Sequence, residues 1–478
     1  MSARVALIGA VALVLMVLGP GGVPVSHAPA AGATAASAML VWGPSSTHIQ
    51  HVITVVMENH VYDNYFGDYC LVVGPYCPNS GNGLPSGLCV PNDPLNPILG
   101  CTRPYNFSQT QLATPDMPHD WASGRLAWDN GAMDGFFQAS AKGVLPFGHY
   151  NATTLGIYWE MAQQFAIGDN FFAANLSYSL PNHWSLIAGQ APNISEQSYL
   201  RTNAERTTYL NESNQTTTIQ DLLNGTNVSW KYYDFRLPSR AVAIQSGGLA
   251  YDYWNPMAAR AESYTTPYAS HFVSRSAFLS DVVNGSLPAL SWVIPSENVS
   301  EHPGYNITWG ESWVAQLVDL VEGSPAWNST AIFVIWDDYG GWYDHVAPPR
   351  VLSGLLSFRS PVIVISPYAK QNYISHQFLD FFSLLRYDEW QFGLGCLTML
   401  DCTATPPFDF FDFNQTARSP VLFPTVWDQA PYPMVLSPTL PTIRDAPYPP
   451  PCVACVGVVP QFWYQAAPSA PRSHALGD

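Results

Sequence analysis

The sequence predicts an α/β protein: a doubly wound, mostly parallel sheet with helices on both faces and loop-rich inserts. Three observations predict it. Short apolar runs of strand length recur at His51–Met57, Ala289–Ile294, Ile332–Trp336 and Pro361–Ile365. Helix-like patterns alternate with them, at Thr154–Phe165, Trp309–Glu322 and His376–Trp390. Acidic, amide and histidine side chains collect just behind several of the runs, where open α/β sheets hold their ligands.

Of the 478 residues 47% are hydrophobic, enough for a large core, and no repeat or low-complexity linker divides the chain. One elaborated catalytic domain is expected over 47–400. Only 11% of residues are charged and the formal net charge is −17, so no basic patch is available for nucleic acid. An anionic substrate would need positive charge supplied locally, which favours a metal. At the N-terminus, Arg4 precedes the apolar run Val5–Leu18 and a stretch rich in small residues through Ala38. This predicts a signal peptide over 1–38 and a secreted or cell-surface protein, with a retained anchor as the alternative. The eight cysteines fall in local groups, Cys70, Cys77, Cys89 and Cys101, then Cys396 and Cys402, then Cys452 and Cys455, which fits short-range disulfides in an exported chain. N-x-S/T sequons recur from Asn106 to Asn414 and fit a glycosylated surface; the one at Asn175, beside a candidate nucleophile, is expected to be unmodified.

Taken in order, His51–Met57 is a buried strand running into Glu58-Asn59. A carboxylate beside an amide oxygen can ligate a hard cation, or the pair can cap the following helix. Residues 68–104 carry four cysteines and many Pro, Gly and Asn, and form a disulfide-rich insert. His119-Asp120 follows, a pair that is ordinarily a surface turn. Ala166–Phe172 is a short strand. Pro181 and Gly189 bracket a helix that places Ser179 just before its N-terminus, either as an N-cap or as a nucleophile facing the positive end of the dipole. A capping box from Thr217 to Gln220 starts a short helix, Val228–Phe235 is a strand and Tyr264–Leu279 is a helix. The strand at Ala289–Ile294 leads to Glu301-His302. Ile332–Trp336 ends in Asp337-Asp338, a Gly340-Gly341 turn, and Asp344-His345. Residues 401–478 form a Pro-rich, irregular C-terminal extension.

If the strands are parallel, Glu58, Asn59, Asp337, Asp338, His302 and His345 converge on one edge with Ser179. Of these, Glu58, Asn59, Asp337, Asp338 and Ser179 would surround one divalent metal ion, which would activate the serine hydroxyl toward a phosphoryl group.

On these residues the chain resembles the phosphoesterase family of bacterial phospholipases C and respiratory-burst-inhibiting acid phosphatases, within the alkaline-phosphatase-like superfamily. The matching stretches are MENHVYDNYFG at Met57–Gly67, PHDW at Pro118–Trp121, SLPNHWSLIAG at Ser179–Gly189, EHP at Glu301–Pro303, WDDYGGWYDHVAPP at Trp336–Pro349 and SPYAKQNYISH at Ser366–His376. They span roughly Thr47–Leu400. The resemblance implies that Glu58, Asn59, Asp337 and Asp338 bind the metal and that Ser179 forms a phospho-enzyme. It implies that His119, His302 and His345 contact phosphate or protonate the leaving group. The substrate is then a phosphate ester, a phospholipid or a soluble phosphomonoester, with peripheral membrane contact in the lipid case. The chain departs from the family pattern in three places. His60-Val61 replaces Arg-Ser, Pro181-Asn182-His183 replaces Pro-Asn-Arg, and Asp380-Phe381-Phe382-Ser383 replaces Asp-His-Thr-Ser. The competing expectation is a catalytically inactive surface glycoprotein on the same fold that binds a ligand or cell-wall component, and which would have no need to keep the acids and the serine.

Overall fold

In the computed structural model, the residues described are 47–423, apart from 74–76, 78–80, 194–201, 235–253 and 267, with two short strands at Val435–Leu436 and Val458–Val459. The signal-peptide expectation, Cys452 and Cys455, and most of the C-terminal extension lie outside them.

Eight strands form the central sheet: β1 (His51–Met57), β2 (Ala166–Gly168), β3 (Trp230–Asp234), β4 (Phe272–Ser274), β5 (Leu290–Val293), β6 (Thr330–Trp336), β7 (Val362–Ile365) and β8 (Tyr373–Ser375). Their order is β8-β2-β7-β6-β1-β5-β3-β4. β6, β1, β5, β3 and β4 pair in parallel, and so do β8 and β2. β7 lies antiparallel to both β6 and β2, so it alone runs against the other strands. The mostly parallel sheet is as expected; the reversal at Pro361–Ile365 is not legible in an apolar run, which carries no direction.

The helices that matter for the site are α1 (Tyr62–Phe66), α2 (Trp121–Trp128), α3 (Gly156–Gln164), α4 (Ser179–Ala188), α5 (Arg275–Val283), α6 (Ile307–Glu322) and α7 (Phe381–Gln391). Successive strand residues point to opposite faces. On one face Ile53, Val55 and Met57 join Ile332, Val334 and Trp336 in a core with Tyr158 and Met161 of α3, Phe278 of α5 and Leu317 of α6. On the other, Phe333 packs its ring against Tyr387 of α7, which in turn packs on α4. Helices therefore cover both faces.

Several predicted bounds shift for local reasons. Asn306 caps α6, its Oδ1 accepting from the Thr308 N–H at 3.0 Å, and Gly323 ends it. α7 starts later than His376, because Leu379–Asp380 first forms a short strand and Asp380 then exchanges a capping box with Ser383. The capping box predicted at Thr217 is formed by Thr218 and Asp221 instead. Tyr264–Leu279 is not one helix: edge strand β4 occupies Phe272–Ser274, and α5 begins at Arg275. Disulfides join Cys70–Cys77, Cys89–Cys101 and Cys396–Cys402, all between near neighbours. Beyond α7 the chain still packs on the body, with Phe410, Phe413 and Phe423 buried. Among the described residues no helix is long and apolar enough to cross a membrane.

Candidate active site and metal centre

β1 and β6 are paired in register from His51↔Thr330 to Met57↔Trp336. The next residues, Glu58 and Asp337, therefore emerge side by side, and the Asp337 N–H donates to the Met57 carbonyl at 3.0 Å. Two turns complete this edge. Asn59 takes a left-handed φ of 63°, and Gly340 and Gly341 take φ of 57° and 82°. Asp337 Oδ1 accepts from the backbone N–H of Asn59 at 3.0 Å and of Asp338 at 2.8 Å. Asp338 Oδ1 accepts from the Gly340 N–H at 2.8 Å. One oxygen of each aspartate is thus used to fix the loop, and the other is left for the site.

Ser179 is the first residue of α4, with Tyr178 as N-cap, so it is not itself the cap. Its Oγ lies 3.0 Å from Glu58 Oε2 and 3.3 Å from Asp338 Oδ2. One turn along α4, His183 places Nε2 3.4 Å from Glu58 Oε1 and 3.5 Å from Asp337 Oδ2. His119 Nδ1 donates to the Met117 carbonyl at 2.6 Å, which leaves Nε2 to accept from Asn59 Nδ2 at 3.0 Å; that nitrogen is 3.8 Å from Asp338 Oδ2. Glu58, Asn59, Asp337, Asp338, His119, Ser179 and His183 are all buried.

Buried acids this close disturb one another. Burial, followed by repulsion from Asp337 and Asp338, pushes the Glu58 carboxyl well above its ordinary range. Burial and Asp337 do the same to Asp338. Burial also works to raise Asp337, but contacts from His183, the Asn59 N–H and Ser179 outweigh it and hold the group low. Burial lowers His119.

The donor set fits a cation. Three carboxylates share one buried spot with no Lys or Arg among their ion-pair partners. Asn59 Oδ1 and Asp337 Oδ2 are buried acceptors with no hydrogen bond. Uncompensated buried charge and orphaned oxygens are costly, and a divalent ion relieves both.

Not every candidate joins this cluster. His345 lies in a second one: its Nδ1 is 2.7 Å from Asp63 Oδ2 and its Nε2 3.1 Å from Asn82 Oδ1. Arg359, fully buried, donates there to Asp63 at 2.8 Å and Asp344 at 2.9 Å, so that cluster already holds its cation. His302 is half-buried, with Nδ1 donating to the Pro303 carbonyl at 3.0 Å. Glu301 instead turns inward. It accepts from Tyr65 at 2.5 Å, Tyr158 at 2.6 Å and Trp336 Nε1 at 2.8 Å, beneath the strand that carries Asp337. The amide of Asn175 donates to the Pro181 carbonyl and to Ser185 Oγ, so it is engaged inside the fold.

Sequence reasoning passed over His183, which lies in the cluster, and Arg359, which neutralises the second one. The signal for His183 was its spacing from Ser179, which puts both on one helix face. Arg359 gave none, because it reaches this edge by preceding the one reversed strand.

A serine at a helix start beside clustered acids on a parallel sheet edge is an arrangement that can carry phosphate-ester hydrolysis. The phosphoesterase family model matches residues 49–395, and the chain belongs to that family. The non-hemolytic phospholipase C of Pseudomonas aeruginosa is 26% identical over 387 residues, 72% of this chain and 54% of that protein. The chain thus spans about half the length of this relative. Phospholipase C A of Mycobacterium tuberculosis is 26% identical over 431 residues, 76% of this chain and 79% of that one. The non-specific phospholipase C6 of Arabidopsis thaliana is 23% identical, over 68% of this chain and 62% of its own. A solved alkaline phosphatase superfamily protein from Vibrio parahaemolyticus aligns with a TM-score of 0.31 and 16% identity, over 52% of this chain and 65% of that one, too slight a likeness to carry weight. Family and relatives place the chain among the phosphoric ester hydrolases.

Proposed function

We propose that the chain is an exported, metal-dependent phosphoesterase of phospholipase C or acid phosphatase type, working through a phosphoserine at Ser179. The observation that carries the proposal is the Ser179 hydroxyl, within 3.3 Å of both Glu58 and Asp338 at a buried cluster of acids. Glu58, Asn59, Asp337 and Asp338 would hold one divalent ion, which when bound lowers the hydroxyl pKa and polarises the phosphoryl oxygen.

In the proposed reaction Ser179 Oγ passes its proton to the Glu58 or Asp338 carboxylate beside it and forms a bond to phosphorus while the ester P–O bond breaks. The departing oxygen takes up a proton, from His302, or from His119 once its Nε2 has been protonated and has given up the hydrogen bond it accepts from Asn59. Water then attacks the phosphoserine and gives a proton to the histidine, the P–Oγ bond breaks, and Ser179 takes its proton back from the carboxylate. Among the three histidines His119 has the best-supported place, since its Nε2 lies 3.8 Å from Asp338. His345 is engaged at both ring nitrogens, so its proposed contact with phosphate requires it to leave Asn82.

A lipid substrate fits a further observation. On the disulfide-stapled insert, Leu95 and Ile98 are 95% and 92% exposed, and they would reach a lipid surface for peripheral contact. Three disulfides and the N-terminal apolar run support export.

The test assays the purified chain on p-nitrophenyl phosphate and on phosphatidylcholine vesicles, with and without chelator. Inorganic phosphate release marks a phosphatase, and phosphocholine release a phospholipase C. Chelator should stop either. No turnover of either substrate by metal-replete protein would instead favour the inactive surface glycoprotein.

A further inference from the structure

We propose that His183 is itself a ligand of the ion, and that it tilts the site toward borderline metals such as zinc and away from calcium and magnesium. The inference rests on the metal site proposed above and adds a nitrogen donor to its oxygen set.

The geometry comes first. His183 Nε2 stands 3.4 Å from Glu58 Oε1 and 3.5 Å from Asp337 Oδ2. Those separations are long for a charge-assisted hydrogen bond, which closes to about 2.7–2.9 Å. They fall within the spacing between neighbouring ligands of a four- or five-coordinate ion: bonds of about 2.0–2.2 Å imply ligand edges of about 2.8–3.8 Å. Glu58, His183 and Asp337 thus offer three atoms around a common point, and Asp337 Oδ2 has no hydrogen bond of its own.

Helix α4 fixes this arrangement. Ser179 and His183 are one turn apart, so the same face presents the nucleophile and the imidazole. Neighbouring turns of α4 are pinned by Asn182, whose Oδ1 accepts from the Asn175 N–H at 2.8 Å and whose amide donates to the Asn175 carbonyl at 3.0 Å. His183 is buried, so the ring has little freedom to turn to water. The residue type matters too. Where the resemblance leads one to expect an arginine, always protonated and with no lone pair to give, this chain has an imidazole, which when neutral has one. Imidazole suits zinc and other late first-row ions; all-oxygen sets suit magnesium and calcium.

The experiment uses the full chain stripped by chelator and titrated calorimetrically with zinc and, separately, with calcium. His183→Gln should weaken zinc binding at least about tenfold and leave calcium affinity within about threefold. Zinc X-ray absorption on the wild type should show imidazole scattering, and His183→Gln should lose it. Equal weakening of both ions, or an imidazole signal that survives the substitution, would overturn the assignment. If His183→Gln fails to fold, the wild-type spectrum decides: an all-oxygen zinc shell overturns the proposal and a histidine nitrogen supports it. A wild type that binds neither ion removes the metal site and this ligand together, whereas zinc binding lost in Glu58→Gln but untouched in His183→Gln removes the ligand alone.

Discussion

Gly340 lies so close to Asn59 that a Cβ on the glycine would stand 2.2 Å from the Asn59 carbonyl oxygen. The two loops that carry the candidate ligands are thus packed backbone to backbone, each with a residue at positive φ. Gly340→Ala should cost more than about 2 kcal/mol, from strain at φ 57° and from the clash together. Gly156→Ala is the control: it sits at the first turn of α3 with open space around its Cβ position, and should be neutral or stabilising by up to about 1 kcal/mol. Denaturant unfolding measures both. Equal stabilities for the two variants would show that the loops can part without cost.

Ser179→Ala should abolish turnover by at least about three orders of magnitude while leaving the thermal transition near that of the wild type. Asp338→Ala should cut turnover similarly and also weaken metal binding, which calorimetry reads separately. Wild-type turnover in Ser179→Ala would remove the nucleophile.

Stability should fall as the medium becomes less acidic. Burial pushes the carboxyls of Glu301 and Glu311 up to about 8, Asp319 to about 7 and Asp380 to about 6. Each is raised above its unfolded value, so the folded state binds more protons between roughly pH 4 and pH 8. Each contribution is fully present below the unfolded pKa and is lost as pH rises through the folded one, by up to about 1.4 kcal/mol per unit and group. Glu301→Gln keeps a hydrogen-bonding group against Tyr65, Tyr158 and Trp336 without the ionisation, and should flatten this slope. Melting scans from pH 4.5 to 8 test it; a wild-type midpoint that climbs across that range contradicts the sign.

Leu95→Ser with Ile98→Ser should reduce sedimentation with phosphatidylcholine vesicles several-fold and leave p-nitrophenyl phosphate turnover unchanged. Both side chains are almost wholly exposed, so removing them sacrifices no core packing. Unaltered vesicle binding would place lipid contact elsewhere.

The residues themselves explain what could be read in advance. Strand β1 was legible to its last residue because a seven-residue run, apolar except at His51 and Thr54, ends abruptly at Glu58. Its partner β6 was legible for the same reason, and the parallel register then put Asp337 beside Glu58. Edge strand β4 was hidden: three residues held by backbone pairing to β3 leave no periodicity, and they looked like the start of α5. The direction of β7 was equally hidden, and with it the arrival of Arg359 beside Asp63 and Asp344. Glu301 fell past a strand end as expected, yet its backbone at φ 72° turns the carboxyl into the core while His302 remains near the rim. Sequence spacing locates a residue along an edge, but the local dihedral decides which way it faces.

The three cross-links among the described residues close short loops, with separations of 7, 12 and 6 residues, and no strand of the eight-stranded sheet contains a cysteine. Small rings restrict the unfolded chain least. Thiol reductants would therefore loosen the outlying staples and leave the sheet assembled, so a laboratory host with a reducing cytosol is a workable source of the folded body.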